Sequence, residues 1–257
     1  MNGRGFRRLL TATAIALAAL SFPGSGHAAK AGGGVDPACS VPDAVLSPGE
    51  GLPRLSARLA AGRPLSVLIV NSAKQASKPG IVGYPARLEE ELKRRLPGEP
   101  APAMVAPLAQ AVEDQRPALV VWQTGTVDAM RNLDPEGFGM ALQAGIAAVQ
   151  SRGADIVIMD MQYSMHTAQL IDFAPYLSYI TWLAQGSDVF HFPRYDIMRH
   201  WVEDGRVDFA DEGDEAKRRS YDFVHRCIGQ LLAESIATMI APAVIPPAVA
   251  RSNGTSP

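Results

Sequence analysis

The sequence predicts a three-layer α/β/α sandwich built on a mainly parallel sheet. Two observations predict it. Short apolar, β-branched runs alternate with amphipathic stretches across residues 63–241, the pattern of strands joined by crossover helices. The runs carry almost no polar residues, as strands covered on both faces require.

The elements follow in chain order. Residues 65–70, between Pro64 and Asn71, form an apolar run that reads as a buried strand. The stretch 84–96 repeats Leu88, Leu92 and Leu96 every four residues, with Pro85 in its first turn, acids early, bases late and Pro97-Gly98 after it. Those are the marks of an amphipathic helix and its two ends. Residues 101–115 are Ala- and Pro-rich, with a weak helix over 108–114. Strands are predicted at 118–123, 155–161 and 188–192, and helices at 135–150, 167–184 and 195–202. A charged stretch, 203–219, crosses to a last helix that ends near Ile240. The Gly-, Pro- and Ala-rich residues 30–62 read as an arm with a short helix near 55–61, and the Pro-rich, then polar, 242–257 as a disordered tail.

The first 29 residues carry the three-part layout of a secretory signal peptide. Arg4, Arg7 and Arg8 precede a run of about 12 apolar and small residues, and Gly26-His27-Ala28-Ala29 offers small residues for cleavage. A membrane span needs about 20 apolar residues, so this run reads as a cleaved leader and the mature chain as periplasmic or secreted. No later segment is long and apolar enough to span. The two cysteines, Cys39 and Cys227, are an even pair in an oxidising compartment, which predicts a disulfide. A bond closing so long a loop contributes on the order of 4–5 kcal/mol in the chain-entropy model. With 257 residues and a formal net charge of -2, the chain has neither the basic patch nor the interleaved aromatics of a nucleic-acid binder. It shows no metal-ligand spacing and no Gly-rich phosphate loop, so no cofactor is expected.

Ligands of a parallel sheet sit at the carboxyl ends of its strands. The candidates there are Asn71-Ser72, the stretch Gly125-Thr126-Val127-Asp128, Gln162-Tyr163-Ser164, and the segment before the last helix. Together with Asp222-Phe223-Val224-His225 and Gly83-Tyr84-Pro85-Ala86-Arg87-Leu88, their order resembles the SGNH (GDSL-type) hydrolases over roughly residues 63–240. That resemblance implies a flavodoxin-like architecture and a serine ester hydrolase acting on small acyl esters. Ser72 would be the nucleophile, His225 the base, Asp222 its orienting partner, and the amides of Ser72 and Gly125 the oxyanion hole, with Asn71, Asp128 and Gln162 lining the cleft. A serine needs such a base within about 2.6–3.2 Å to attack a carbonyl.

The chain departs from the family pattern at several points. Val70 stands where the family has glycine. Matching Asn71 to that glycine instead puts the nucleophile position on Ala73. Val127 replaces the oxyanion asparagine, and loss of one such donor costs about 10²–10³ in rate. An alignment anchored on Cys227 places Ala216 and Arg219 where the acid–base pair should be. Asp128 reads as a structural residue bonding loop amides, His191 as core, and His166 as a residue near the same strand end. Two functional classes follow: an exported esterase for acyl groups of envelope glycans or lipids, and a degenerate relative that binds or scaffolds.

Overall fold

The computed structural model describes residues 34–71, 80–96, 104–105, 112, 116–210 and 213–244. The expected signal peptide, Ser72 and Ala73, most of the weak helix near 108–114 and the C-terminal tail lie outside those residues. Five strands, β1 (Val67–Asn71), β2 (Met104–Val105), β3 (Leu119–Gln123), β4 (Asp155–Met159) and β5 (Phe190–Phe192), form one parallel sheet in the order β2-β1-β3-β4-β5. The helices are α1 (Pro53–Ala60), α2 (Tyr84–Arg95), α3 (Thr126–Met130), α4 (Pro135–Gln150), α5 (Met165–Leu170), α6 (Ala174–Gly186), α7 (Arg194–Glu203) and α8 (Asp214–Val244).

The two-residue period of a strand sorts side chains to alternate faces, and here that builds two cores. Val67, Ile69, Leu119, Val121, Val157 and Met159 pack on one face with Leu88 and Leu92 of α2, Trp201 of α7 and Ile228 and Leu232 of α8. Leu68, Val70, Val120, Ile156 and Ile158 pack on the other with Phe138, Leu142 and Ile146 of α4 and Tyr176 and Ile180 of α6. These are the three layers that the sequence predicts.

Register then aligns the functional edge. Asn71 pairs with Gln123, Gln123 with Met159, and Met159 with Phe192. The carboxyl ends of these strands therefore lie side by side.

Three differences from the sequence reading have local causes. The single helix over 167–184 is two, α5 and α6. Ile171 is extended, the Asp172 carboxylate accepts from the Ala174 amide, and Pro175 lies in the first turn of α6 with no N–H to continue the earlier helix. Residues 126–130, read as loop, close into α3. The last helix begins at Asp214 rather than after residue 219, with Asp214 and Glu215 complementing its N-terminus, so Asp222 and His225 sit well inside it. The strand β2 adds a short edge inside a stretch that composition leaves ambiguous.

The expected disulfide is present. Cys39 and Cys227 are bonded with Cα atoms 4.9 Å apart, across 188 residues of chain. It fastens the turn at Pro37–Cys39 to α8, where the Trp201 indole N–H also donates to the Cys39 carbonyl at 3.3 Å.

The α2–α8 contact depends on one missing side chain. A Cβ added to Gly229 would sit 2.7 Å from Arg87 Cβ and 3.1 Å from the Arg87 carbonyl carbon. The second neighbour is backbone and cannot swing away. Gly229→Ala is therefore expected to destabilise the fold by about 1–3 kcal/mol through overpacking. A lower urea midpoint at unchanged slope would show it; an unshifted midpoint would refute the close approach.

Candidate active site

The carboxyl edge of the sheet gathers polar side chains over an otherwise apolar sandwich. Asn71 ends β1, and its side-chain carbonyl accepts from the Tyr84 hydroxyl at 3.3 Å. Tyr84 opens α2 and is fully buried. Its backbone amide donates to Nδ1 of His225, on α8, at 3.3 Å, and the two rings lie nearly parallel with centroids 6.5 Å apart. A chain of contacts thus links His225 to the residue preceding Ser72.

The expected Asp222–His225 pair does not form. The Asp222 carboxylate takes Arg87 Nη2 at 3.1 Å, because one turn of α8 turns it towards α2. His225 Nδ1 is occupied as an acceptor, so the neutral ring carries its proton on Nε2. Burial, then the positive charges of Arg194 and Arg87, depress the His225 pKa to about 4, against the opposing pull of Asp222. At neutral pH the ring is an uncharged hydrogen-bond donor.

Gly125 precedes α3 with φ of 89°, a left-handed conformation that favours glycine. A Cβ there would also meet the Met161 sulfur at 2.7 Å, so the chain needs glycine twice over. Asp128 lies in the first turn of α3, and the loop bond it makes comes from its backbone carbonyl, which accepts from Leu133, not from its carboxylate. Gln162 is exposed after β4, and its carbonyl accepts from Arg194 Nη2 at 3.4 Å. His166 is exposed on α5.

Sequence reasoning missed three residues here. Asp160 is buried; it takes His191 Nε2 and the Tyr195 amide, each at 2.8 Å. Burial raises its pKa, against the lowering effect of His191. His191 is accordingly the partner of a buried acid rather than an apolar core residue. An acid closing the run Ile156-Val157-Ile158-Met159 was a usable signal, since such a residue must be paired or functional. Arg194, 3% exposed, opens α7 directly after β5. Its proximity is felt electrostatically by both Tyr84 and His225. Tyr84, whose burial lifts its pKa to about 12, stays a neutral donor. Tyr84 stood in the sequence only as part of the phrase at residues 83–88, without a role, and nothing around Arg194 marked it beyond its place at a helix start.

A groove of about 800 Å³ lined by Leu52, Ser56, Asp188, Phe190 and Met239 lies at the amino end of β5. It is remote from this cluster, and the strand ends bearing polar groups remain the place for chemistry.

The parallel order, the crossover helices on both faces and the polar carboxyl edge define an SGNH-hydrolase α/β fold. The chain superposes on a lipase/acylhydrolase from Enterococcus faecalis with a TM-score of 0.52 and 14% identity, covering 68% of this chain and 96% of that one. It superposes on an acetylxylan esterase from Geobacillus stearothermophilus with a TM-score of 0.52 and 11% identity, covering 67% and 94%. A profile of the Non-GDSL lipase-like family matches residues 38–242, and the chain belongs to that family. No curated protein matches it in sequence. No helix among the described residues is long and apolar enough to cross a membrane.

Proposed function

We propose that the mature chain is an exported serine hydrolase of small acyl esters, acetyl esters of envelope glycans or lipids among them, with Ser72 as nucleophile and His225 as its proton acceptor. One observation carries the reading: His225 is held through Tyr84 against Asn71, the residue next to Ser72. Membership of a lipase-like family and similarity in fold to an acetylxylan esterase support the substrate class. The leader-like first 29 residues and the disulfide support export.

In this reading Ser72 Oγ attacks the acyl carbonyl as its proton passes to the imidazole. The alcohol leaves with that proton, and water repeats the sequence to free the acid and Ser72. The oxyanion hole expected from the family resemblance is the amides of Ser72 and Gly125. Accepting a proton at Nε2 requires the other ring tautomer and gives up the Tyr84 hydrogen bond. At 3.3 Å that bond is long, and such bonds contribute only about 0.5–1.5 kcal/mol net. The exchange is affordable, and the enzyme is slow rather than dead.

A second reading has its own support. Asp222 is committed to Arg87 and Nδ1 to the Tyr84 amide, which suits a fold that keeps the cleft and binds without turnover. Hydrolysis of short-chain p-nitrophenyl esters by mature protein, beside Ser72→Ala, separates the two. Activity lost in the variant supports the serine hydrolase. Equal rates in both proteins remove Ser72 from the mechanism and leave the binding reading.

A further inference from the structure

The side chain of Arg194 has no use in the mechanism above and makes little sense as a packing residue. It is 3% exposed, yet its Nε and Nη1 have no hydrogen-bond partner among the described residues. Its one bond is the 3.4 Å contact from Nη2 to Gln162, at the weak end of the range for such bonds. Asp160 is the carboxylate that acts on it electrostatically, but Asp160 spends its oxygens on His191 and the Tyr195 amide and forms no ion pair with Arg194. A buried guanidinium without a counter-ion is costly, and removing it for an apolar side chain is commonly neutral or favourable to folding. Stability therefore does not account for it.

Its surroundings point to an anion. Tyr84 and His225, both neutral at pH 7, are near enough for Arg194 to shift their titration. Asn71 uses its carbonyl for Tyr84 and keeps its amide hydrogens. Among the described residues the hydrogen-bond partner of the guanidinium is Gln162, which is itself exposed, so turning that one side chain away frees Nη2 as well. Arginine is the side chain whose planar fork best matches a carboxylate or phosphate.

We propose that Arg194 is the anchor of an anion-binding subsite in this cleft, which takes a carboxylate or phosphate group of the ligand once Gln162 swings aside. The subsite does not rest on Ser72 chemistry; it serves a hydrolase and a binding protein equally. It predicts that ligands of this chain are acidic esters or acids rather than neutral acyl esters.

The test is calorimetric titration of mature Ser72→Ala protein, in which esters are not consumed by the serine, at neutral pH and low salt. The probes are monomethyl succinate, its neutral counterpart dimethyl succinate, and inorganic phosphate. Saturable binding of monomethyl succinate, with dimethyl succinate at least tenfold weaker, is the expected result. Phosphate binding as well would mark a general oxyanion site, and its absence a carboxylate site; either sustains the subsite. Adding Arg194→Met should weaken the anions at least tenfold while the ligand-free melting temperature stays at or above that of the parent. Anions bound as tightly by Arg194→Met overturn the proposal. Should that variant fold poorly, the parent alone decides: dimethyl succinate bound as well as monomethyl succinate, or no anion bound at all, overturns it.

Discussion

Replacing His225 by alanine is expected to lower kcat/KM for p-nitrophenyl acetate by about 10²–10⁴, the usual contribution of a positioned acid–base group. Asp222→Asn is expected to cost less than about tenfold, whereas a triad aspartate that orients its histidine costs about 10⁴ on the same change. The difference follows from geometry: Asp222 is engaged by Arg87 at 3.1 Å and His225 Nδ1 by the Tyr84 amide. The pH profile provides a second check. The free enzyme's His225 titrates at about 4, depressed by burial and by Arg194 and Arg87, so kcat/KM should hold level from neutrality downward and fall only near pH 4. Asp222 raises that pKa, so Asp222→Asn should move the acid limb lower. An acid limb near 6.5 in the parent, or a 10⁴-fold loss in Asp222→Asn, would mean that the working enzyme re-forms the Asp222–His225 pair.

The same residue links pH to stability. Because the folded-state pKa of His225 lies below its ordinary value of 6.5, the unfolded chain binds a proton first as pH falls. The contribution is fully present above about 6.5 and is lost as pH drops towards about 4.

Loss of the Cys39–Cys227 bond is expected to be the largest single blow to stability. With 188 residues between its ends, the chain-entropy model assigns about 5 kcal/mol to the closure. For a domain of this size that corresponds to a drop in melting temperature of roughly 10–20 °C. The double variant Cys39→Ser, Cys227→Ser, or the parent in reductant, should both show it by scanning calorimetry. The turn at Pro37–Cys39 is held besides by the Trp201 indole, by the Gln230 side chain on the Asp36 amide and by the Arg226–Asp36 ion pair, so the loss should appear as earlier global melting rather than a detached arm. A shift of under about 3 °C, which is about 1 kcal/mol at this size, would mean that the reduced, unfolded chain retains enough structure for the bond to remove little of its entropy.

How far the sequence revealed this molecule depended on the range of each interaction. Strands with unbroken β-branched cores, and a helix such as α4 with Pro135 at its start and Gly153 just beyond its end, were legible because their causes are local. The break between α5 and α6 was equally local, and the signal was there in Asp172 and Pro175; the apolar content of the stretch masked it. The disulfide was legible from parity and compartment alone. The partners of Asp222 were not, since Arg87 lies 135 residues away and reaches it only because Gly229 lets α2 and α8 approach. Arg194 escaped notice for a similar reason: a charged residue at a helix start is ordinary, and only the fold makes it a buried one. Asp160 escaped although its setting in an apolar strand announced it.

The bond between Cys39 and Cys227 also settles how the molecule carries load. A pull applied at residues 39 and 227 runs directly through the sulfurs, and the segment between them, the whole sheet included, bears no covalent tension. At about 3.3–3.6 Å per extended residue, roughly 620–680 Å of contour stays hidden behind that bond. Tension applied at residues 39 and 227 would leave the strand edges undistorted, and a thiol would release that hidden length.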